Sequence, residues 1–467
     1  MARGFDASAH YGRRIADVHD GGITVNDSPG GTCRPLTASG FPADPDLSAS
    51  PEPPRSPGPP RLSDLPESSA LSRLPELLGS PGPGPSRATK PPGSPKAPRS
   101  LKPAKSPERS KLAERPDPLD LPVPGRAPAL PAARGPISAL LFERLVHPPH
   151  RFGLLSLPLL SFPARFAGPV LADEDVQLAL FVCYELHHRG FEGVDERWEW
   201  NPSLLEVREI LEARFEEGLA RAVSCPPTQR AEQMSQALTD LVAAAVDGPD
   251  LPGFLQRQAD LAQFREFVAH RSIHHLKGAD QRTWAIPRLS GRPKAALVEI
   301  QAGQYGGGRV ERMHSELFRT TMRRLGMDDS YGAYLDQVPA ITLAVSNTMS
   351  LFGLHRRHLG ALLGHLAAAE MTSSVPNRRY SESLRRLGAG EAASRFYDEQ
   401  VRADAVPEQT AAHDMCGGFA RQHPSRAGDV LYGAACALTL DRLFAEHVMS
   451  RWRRGVSSLR EVGAARP

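Results

Sequence analysis

Apolar residues recur at three- and four-residue intervals through residues 136–460, and strand-like alternation is absent. Order is expected to begin near Pro136, with ISALLFERL as a short helix followed by a Pro-interrupted apolar segment through Leu171. Asp173 is a candidate N-cap, with Glu174 and Asp175 in a first turn that favours acidic groups. Val176, Leu180, Phe181 and Tyr184 then keep helical spacing until Gly190. Asn201-Pro202 opens a further helix in the usual cap-then-proline order, with Leu204, Leu205, Val207, Leu211, Phe215 and Leu219 as its stripe. Later helices are expected over 229–246, 255–276, 294–327, 331–355, 357–372, 377–387, 390–413 and 428–452. The run LGALLGHLAAAEM is apolar nearly all round, which predicts burial. The fold class this implies is an all-α bundle with one core of roughly 320 residues and no internal repeat.

The stretch Lys294 to Met327 organises the rest. It begins as an apolar helix, crosses Tyr305-Gly306-Gly307-Gly308, and is expected to resume as a helix from Arg309 to Leu325. Glu311 and His314, three apart, would then leave one helix face. Helical bundles use a Glu-x-x-His pair to offer a carboxylate and an imidazole to a buried iron or manganese ion. The glycines are not a phosphate loop, because no strand precedes them and no Gly-Lys-Ser/Thr follows. They are expected instead to let a neighbouring helix or a ligand approach the backbone closely.

Composition changes the picture mainly at the N-terminus. Most of the 45 prolines fall before residue 135, in phrases such as PEPPRSPGPPRL and KPPGSPKAPRSLKPAKSPERSK. Residues 1–135 therefore read as a disordered arm, short of the large apolar side chains that would offset the entropy of ordering. Residues 87–115 hold nine basic and two acidic residues, so the arm is a candidate for an acidic protein partner. The net charge of +3 is too mild to imply specific nucleic acid. No stretch approaches the roughly 18 apolar residues of a membrane span. Five scattered cysteines without a Cys-x-x-Cys pair suit a reducing cytoplasm. Cys416 has no visible base partner and carries no claim as a nucleophile. Trp198 and Trp200 are expected to cover the bundle end, and His355, His358 and His365 to be structural.

Several separated phrases, in order, resemble the iron-containing redox enzymes, the haem-oxygenase-like diiron oxidases. They are TWAIPRL (residues 283–289), the central stretch from Gln301 to His314, AAAEMTSSVPNRRY (367–380), RRLG before the penultimate long helix, and WRRGVSSLR (452–460). The resemblance implies a haem-oxygenase-like helical bundle over residues 136–467. In that family two irons lie between three core helices and activate O₂ to oxidise a small substrate. It also implies seven ligand positions, of which this chain keeps Glu311, His314 and Asp404. The family's Lys-Glu-Ala-Asp is Lys277-Gly278-Ala279-Asp280, and its Asp-Glu-Tyr-Gly is Gly303-Gln304-Tyr305-Gly306. Its His-x-x-x-Asp-x-x-His is Gln400-x-x-x-Asp404-x-x-Pro407. An amide supplies one neutral oxygen and no charge, glycine supplies nothing, and Pro407 should also kink the helix.

A full diiron centre is therefore not expected. At most one Fe(II) or Mn(II) would be held by Glu311, His314 and Asp404, as a mononuclear oxidase acting on a small molecule. His274 and His275, one turn before Gly278, would be within reach of the space vacated there. The alternative is a non-catalytic pseudoenzyme that keeps the bundle as a small-molecule-binding or protein-assembly module. A homodimer is an open alternative to a monomer.

Overall fold

The helix-start signals act as expected, and one does more. In a computed structural model that describes residues 127–153, 169–224, 227, 230–245, 247–403 and 408–461, the Asp173 carboxylate accepts from the Asp175 and Val176 amides, both at 3.0 Å. That closes the first turn of α2 (Glu174–Glu185), whose apolar residues are buried all round. Asp175 caps a different helix. Its carboxylate takes the Ile137 and Ser138 amides at 2.8 and 2.7 Å, fixing the start of α1 (Pro136–Leu145). Asn201 caps α3 (Pro202–Ala222) through Ser203 and Leu204, and Pro202 sits at its first position.

The expected arm, residues 1–135, lies outside the described residues as far as 126. Residues 127–135 are held against the bundle, which moves the expected boundary at 136 forward. The Pro128 carbonyl accepts from Glu192 at 2.8 Å, and Arg134 pairs with Glu174 at 2.7 Å.

Next come α4 (Met234–Ala244), α5 (Leu251–Arg257), α6 (Leu261–His275), α7 (Gly278–Thr283) and α8 (Gly291–Gln304). The expected single helix over 255–276 is two, because Asp260 caps a fresh start by accepting from the Gln263 amide at 2.8 Å. The resumed central helix also starts later than expected. Gly306, Gly307 and Gly308 all have positive φ (65°, 62° and 79°), 310–312 form a short 3₁₀ turn, and α9 runs only from His314 to Arg324. A Cβ on Gly306 would stand 2.6 Å from the Met313 nitrogen, so the close approach there is the chain folding back on itself.

α10 (Ala340–Leu354) is buried on nearly every side, and Arg288 of the TWAIPRL phrase caps its end by donating to the Gly353 and Leu354 carbonyls at 2.6 and 2.9 Å. Two expected helices, 357–372 and 377–387, are one: α11 (Leu359–Arg386) continues through Pro376. α12 (Glu391–Ala403) follows, then a π-helix (Thr410–Gly417), α13 (Gly418–Gln422) and α14 (Ala427–Arg453). Among the described residues there is no strand, and the fold is the all-α bundle the sequence implied.

α11 is the central member, lying along α14 and α12. Glycines set its distance from α14. A Cβ on Gly364 would overlap the Val430 carbonyl, and one on Gly433 would overlap the Ala361 carbonyl. The C-terminal phrase returns to the core through Glu266, which accepts from Trp452 Nε1 at 2.8 Å and from Ser458 Oγ at 2.6 Å. Trp198 is fully buried, and its Nε1 donates to the His147 carbonyl at 2.9 Å, whereas Trp200 is 60 % exposed. His355 and His358 are structural, bonded to Glu212 at 2.8 Å and Glu216 at 3.2 Å.

The seam gives a direct test. Gly433→Ala places a methyl against backbone that cannot yield without separating the helices, and should cost about 1–3 kcal/mol by urea unfolding. Gly307→Ala, with nothing within 4 Å of the added methyl, should show only backbone strain. An unchanged Gly433→Ala midpoint would contradict the contact.

Candidate functional site

The site is built from the ends of helices. α6 ends at His275, Lys277 makes the turn, and α7 starts at Gly278. Lys277 is anchored below by a buried ion pair with Glu185, which also accepts from the Tyr331 hydroxyl at 2.7 Å. The Lys277 ammonium lies 4.4 Å from the Phe181 ring centroid. The imidazole of His274 fills the space a side chain at 278 would take. A Cβ on Gly278 would be 2.7 Å from His274 Cε1. The sequence expectation that His274 reaches this space is met.

His274, His275, His314 and His365 line one cavity of about 660 Å³, together with Arg282 and Glu370. Arg282, from α7, is 6 % exposed. Its Nη1 is 3.9 Å from Glu370 Oε1, beyond hydrogen-bonding reach, and its Nε has no partner. Glu370, from α11, accepts from Gln304 Nε2 at 3.5 Å. Gln400 Nε2 donates to His314 Nδ1 at 2.8 Å. Gln304, His314, Glu370 and Gln400 are also walls of a second cavity of about 340 Å³. Two of the expected metal-ligand positions have thus become amides that hydrogen-bond the neighbouring carboxylate and imidazole.

The imidazoles are neutral. Burial pushes the His314 ring down to about 4 and the His365 ring down to about 3, each helped by the Arg282 charge. His274 and His275 lie well below the ordinary value, through burial first and then the charges of neighbouring histidines, Arg282 and Arg271. No acidic side chain raises any of the four. Donation by Gln400 to Nδ1 leaves the His314 proton on Nε2. His274 Nδ1 and His365 Nδ1 are buried without a partner.

Residues 265–442 match the iron-containing redox enzyme family. The matched segment runs from α6 into α14 and contains every cavity residue named above, and the helical bundle is haem-oxygenase-like. No curated protein matches the chain.

The residues present do not fit the iron pair this family name implies. Two Fe(II) ions bring four positive charges and need several carboxylates around them. Carboxylates beside the four imidazoles already have protein partners: Glu370 is opposed by Arg282, Asp441 by Arg271 and Asp250 by Arg379, and Asp280 accepts from the Tyr305 hydroxyl. Among the described residues no three His, Cys, Asp or Glu side chains are grouped to hold a metal ion. Contrary to expectation, Glu311 and His314 also do not leave one helix face. Glu311 sits on the 3₁₀ turn, is exposed and lines neither cavity, because Met313 is extended (ψ 134°) and restarts the helix at His314. His314 does face the cavity, and Asp404 and Pro407 lie outside the described residues.

Arg282, His365 and Glu370 were not singled out from the sequence as site residues. The available signal was Glu370 itself, a lone charge closing an apolar helical run that predicts burial and therefore a partner.

The neutral imidazoles fix the sign of a pH effect. The unfolded chain takes up protons as pH falls below the ordinary histidine value of 6.5, whereas His314 and His365 resist protonation down to about 4 and about 3. Their contribution is complete above 6.5 and is lost as pH falls towards those values. Urea unfolding should give lower stability at about pH 5 than at about pH 7, and His365→Gln should flatten the slope by up to about 1.4 kcal/mol per pH unit. A slope identical to wild type would show that His365 is already protonated in the fold.

Proposed function

We propose that this protein uses the haem-oxygenase-like bundle as a small-molecule-binding module, in which an organic ligand takes the place of the iron pair. The single observation that carries the reading is the set of cavity groups with no hydrogen-bond partner: Arg282 Nε, His274 Nδ1 and His365 Nδ1. Buried polar groups are satisfied in most folded proteins; three of the thirteen unpartnered atoms among the described residues belong to side chains that line this one cavity, where a bound molecule would supply the missing bonds. A volume of about 660 Å³ suits a small organic molecule. The iron-dependent oxidase reading is disfavoured by the arginine charge beside all four imidazoles and by the exposure of Glu311.

The test is metal content after anaerobic purification with Fe(II) supplied. Well under one iron per chain is expected, with no rise in melting temperature on adding Fe(II) or Mn(II). Near two irons per chain would overturn the reading. Gly278→Glu, which returns the family residue, should lower the melting temperature, because its side chain meets the His274 ring at 2.7 Å. Paired with His274→Ala, it should recover most of that loss. Equal melting of both variants would contradict the placement of His274.

A further inference from the structure

We propose that the ligand of the inner cavity is an organic carboxylate with a compact apolar body, its head group held by Arg282 with His274 and His365 beside it. This deepens, and rests on, the reading of the cavity as an organic-ligand site. Arginine carries five donors in a fixed fork that matches a carboxylate edge to edge. Here the fork is used poorly. Glu370 approaches only Nη1, at 3.9 Å, and the edge bearing Nε has no acceptor. A buried guanidinium with its Nε–H unpaired is costly, and an incoming carboxylate offsets that cost in a way a neutral ligand cannot.

The histidines beside Arg282 suit the same head group. The charged side chains acting on the four imidazoles are Arg282 and Arg271, both cations. His274 and His365 each keep one ring nitrogen unpaired, so either ring can present N–H to an anion by choice of tautomer. The wall also carries polar and charged groups, among them Asp280, Tyr305, Gln400 and Asp441, and one apolar portion. Phe267, Val345, Met349, Ala368 and Phe396 line the cavity and suit a hydrocarbon body of limited size. The Phe396 ring also lies 5.0 Å from His275 and 6.1 Å from His314 edge-on, so it joins the apolar wall to the polar end. Glu370 remains on the far side of the guanidinium, bonded to Gln304, and sets a preference for one negative charge over two.

The experiment uses the full chain and three carboxylates (benzoate, cyclohexanecarboxylate and phenylacetate), each beside its neutral amide, to about 10 mM. The melting temperature should rise with concentration for at least one acid and stay flat for its amide. Arg282→Gln should weaken the responding acid by about tenfold or more. Because that variant removes the guanidinium that opposes Glu370, the double variant Arg282→Gln with Glu370→Gln removes both charges at nearly constant shape and should also fail to respond. An amide that binds as well as its acid overturns the carboxylate class while leaving the cavity reading intact. So does a double variant that keeps the full response, or no response to any of the three acids. Stoichiometric iron in the same preparations would instead overturn the organic-ligand reading itself.

Discussion

The site depends on how closely α11 lies against α14. At Gly364 and Gly433 the two backbones approach so near that neither position has room for a methyl group. That contact fixes a helix of 28 residues, long enough to reach from one side of the bundle to the other. Its first half brings His365 and Glu370 to the cavity. Its second half is tied to α5 and α12 by Ser383 donating to the Leu255 carbonyl at 2.7 Å and by Arg385 pairing with Asp398 at 2.8 Å. Arg282 on α7 and Glu370 on α11 stand 3.9 Å apart, and Arg282 Nε has no partner.

In the proposed reading a guanidinium stands where the resembled family puts its metal. A bundle that holds two irons surrounds them with carboxylates, because charge buried away from water must be opposed nearby. Here the charges along the cavity are opposed in pairs of protein side chains, Arg282 with Glu370, Arg271 with Asp441 and Arg379 with Asp250. The amides at 304 and 400 fit that state. Each donates to a neighbour, Glu370 and His314, that a metal would otherwise engage. Gly278 fits it too, since His274 occupies the volume a ligand side chain would need.

Local rules read well in the sequence where the cause is local. Asp173 and Asn201 cap the helices they precede, and hydrophobic spacing alone gave the all-α class. The departures from the resembled family's pattern at 278, 304 and 400 are legible from residue identity. Three things were not. The Glu311–His314 pair looked continuous by spacing, but three consecutive left-handed glycines end α8 before Glu311, and an extended Met313 separates the 3₁₀ turn that carries Glu311 from α9. Pro376 looked like a boundary, yet contacts on both sides of it carry α11 through. The pairing of Arg282 with Glu370, 88 positions apart in the chain, is set by which helices become neighbours, and no periodicity records it.

Anomalous diffraction from crystals grown with Fe(II) tests the central claim most directly, that a guanidinium and not a metal is the cation of this cavity. The expected map has no anomalous peak among His274, His314, His365 and Glu370, with Arg282 ordered between them. A strong iron peak bonded to those side chains, with Arg282 turned away, would contradict it.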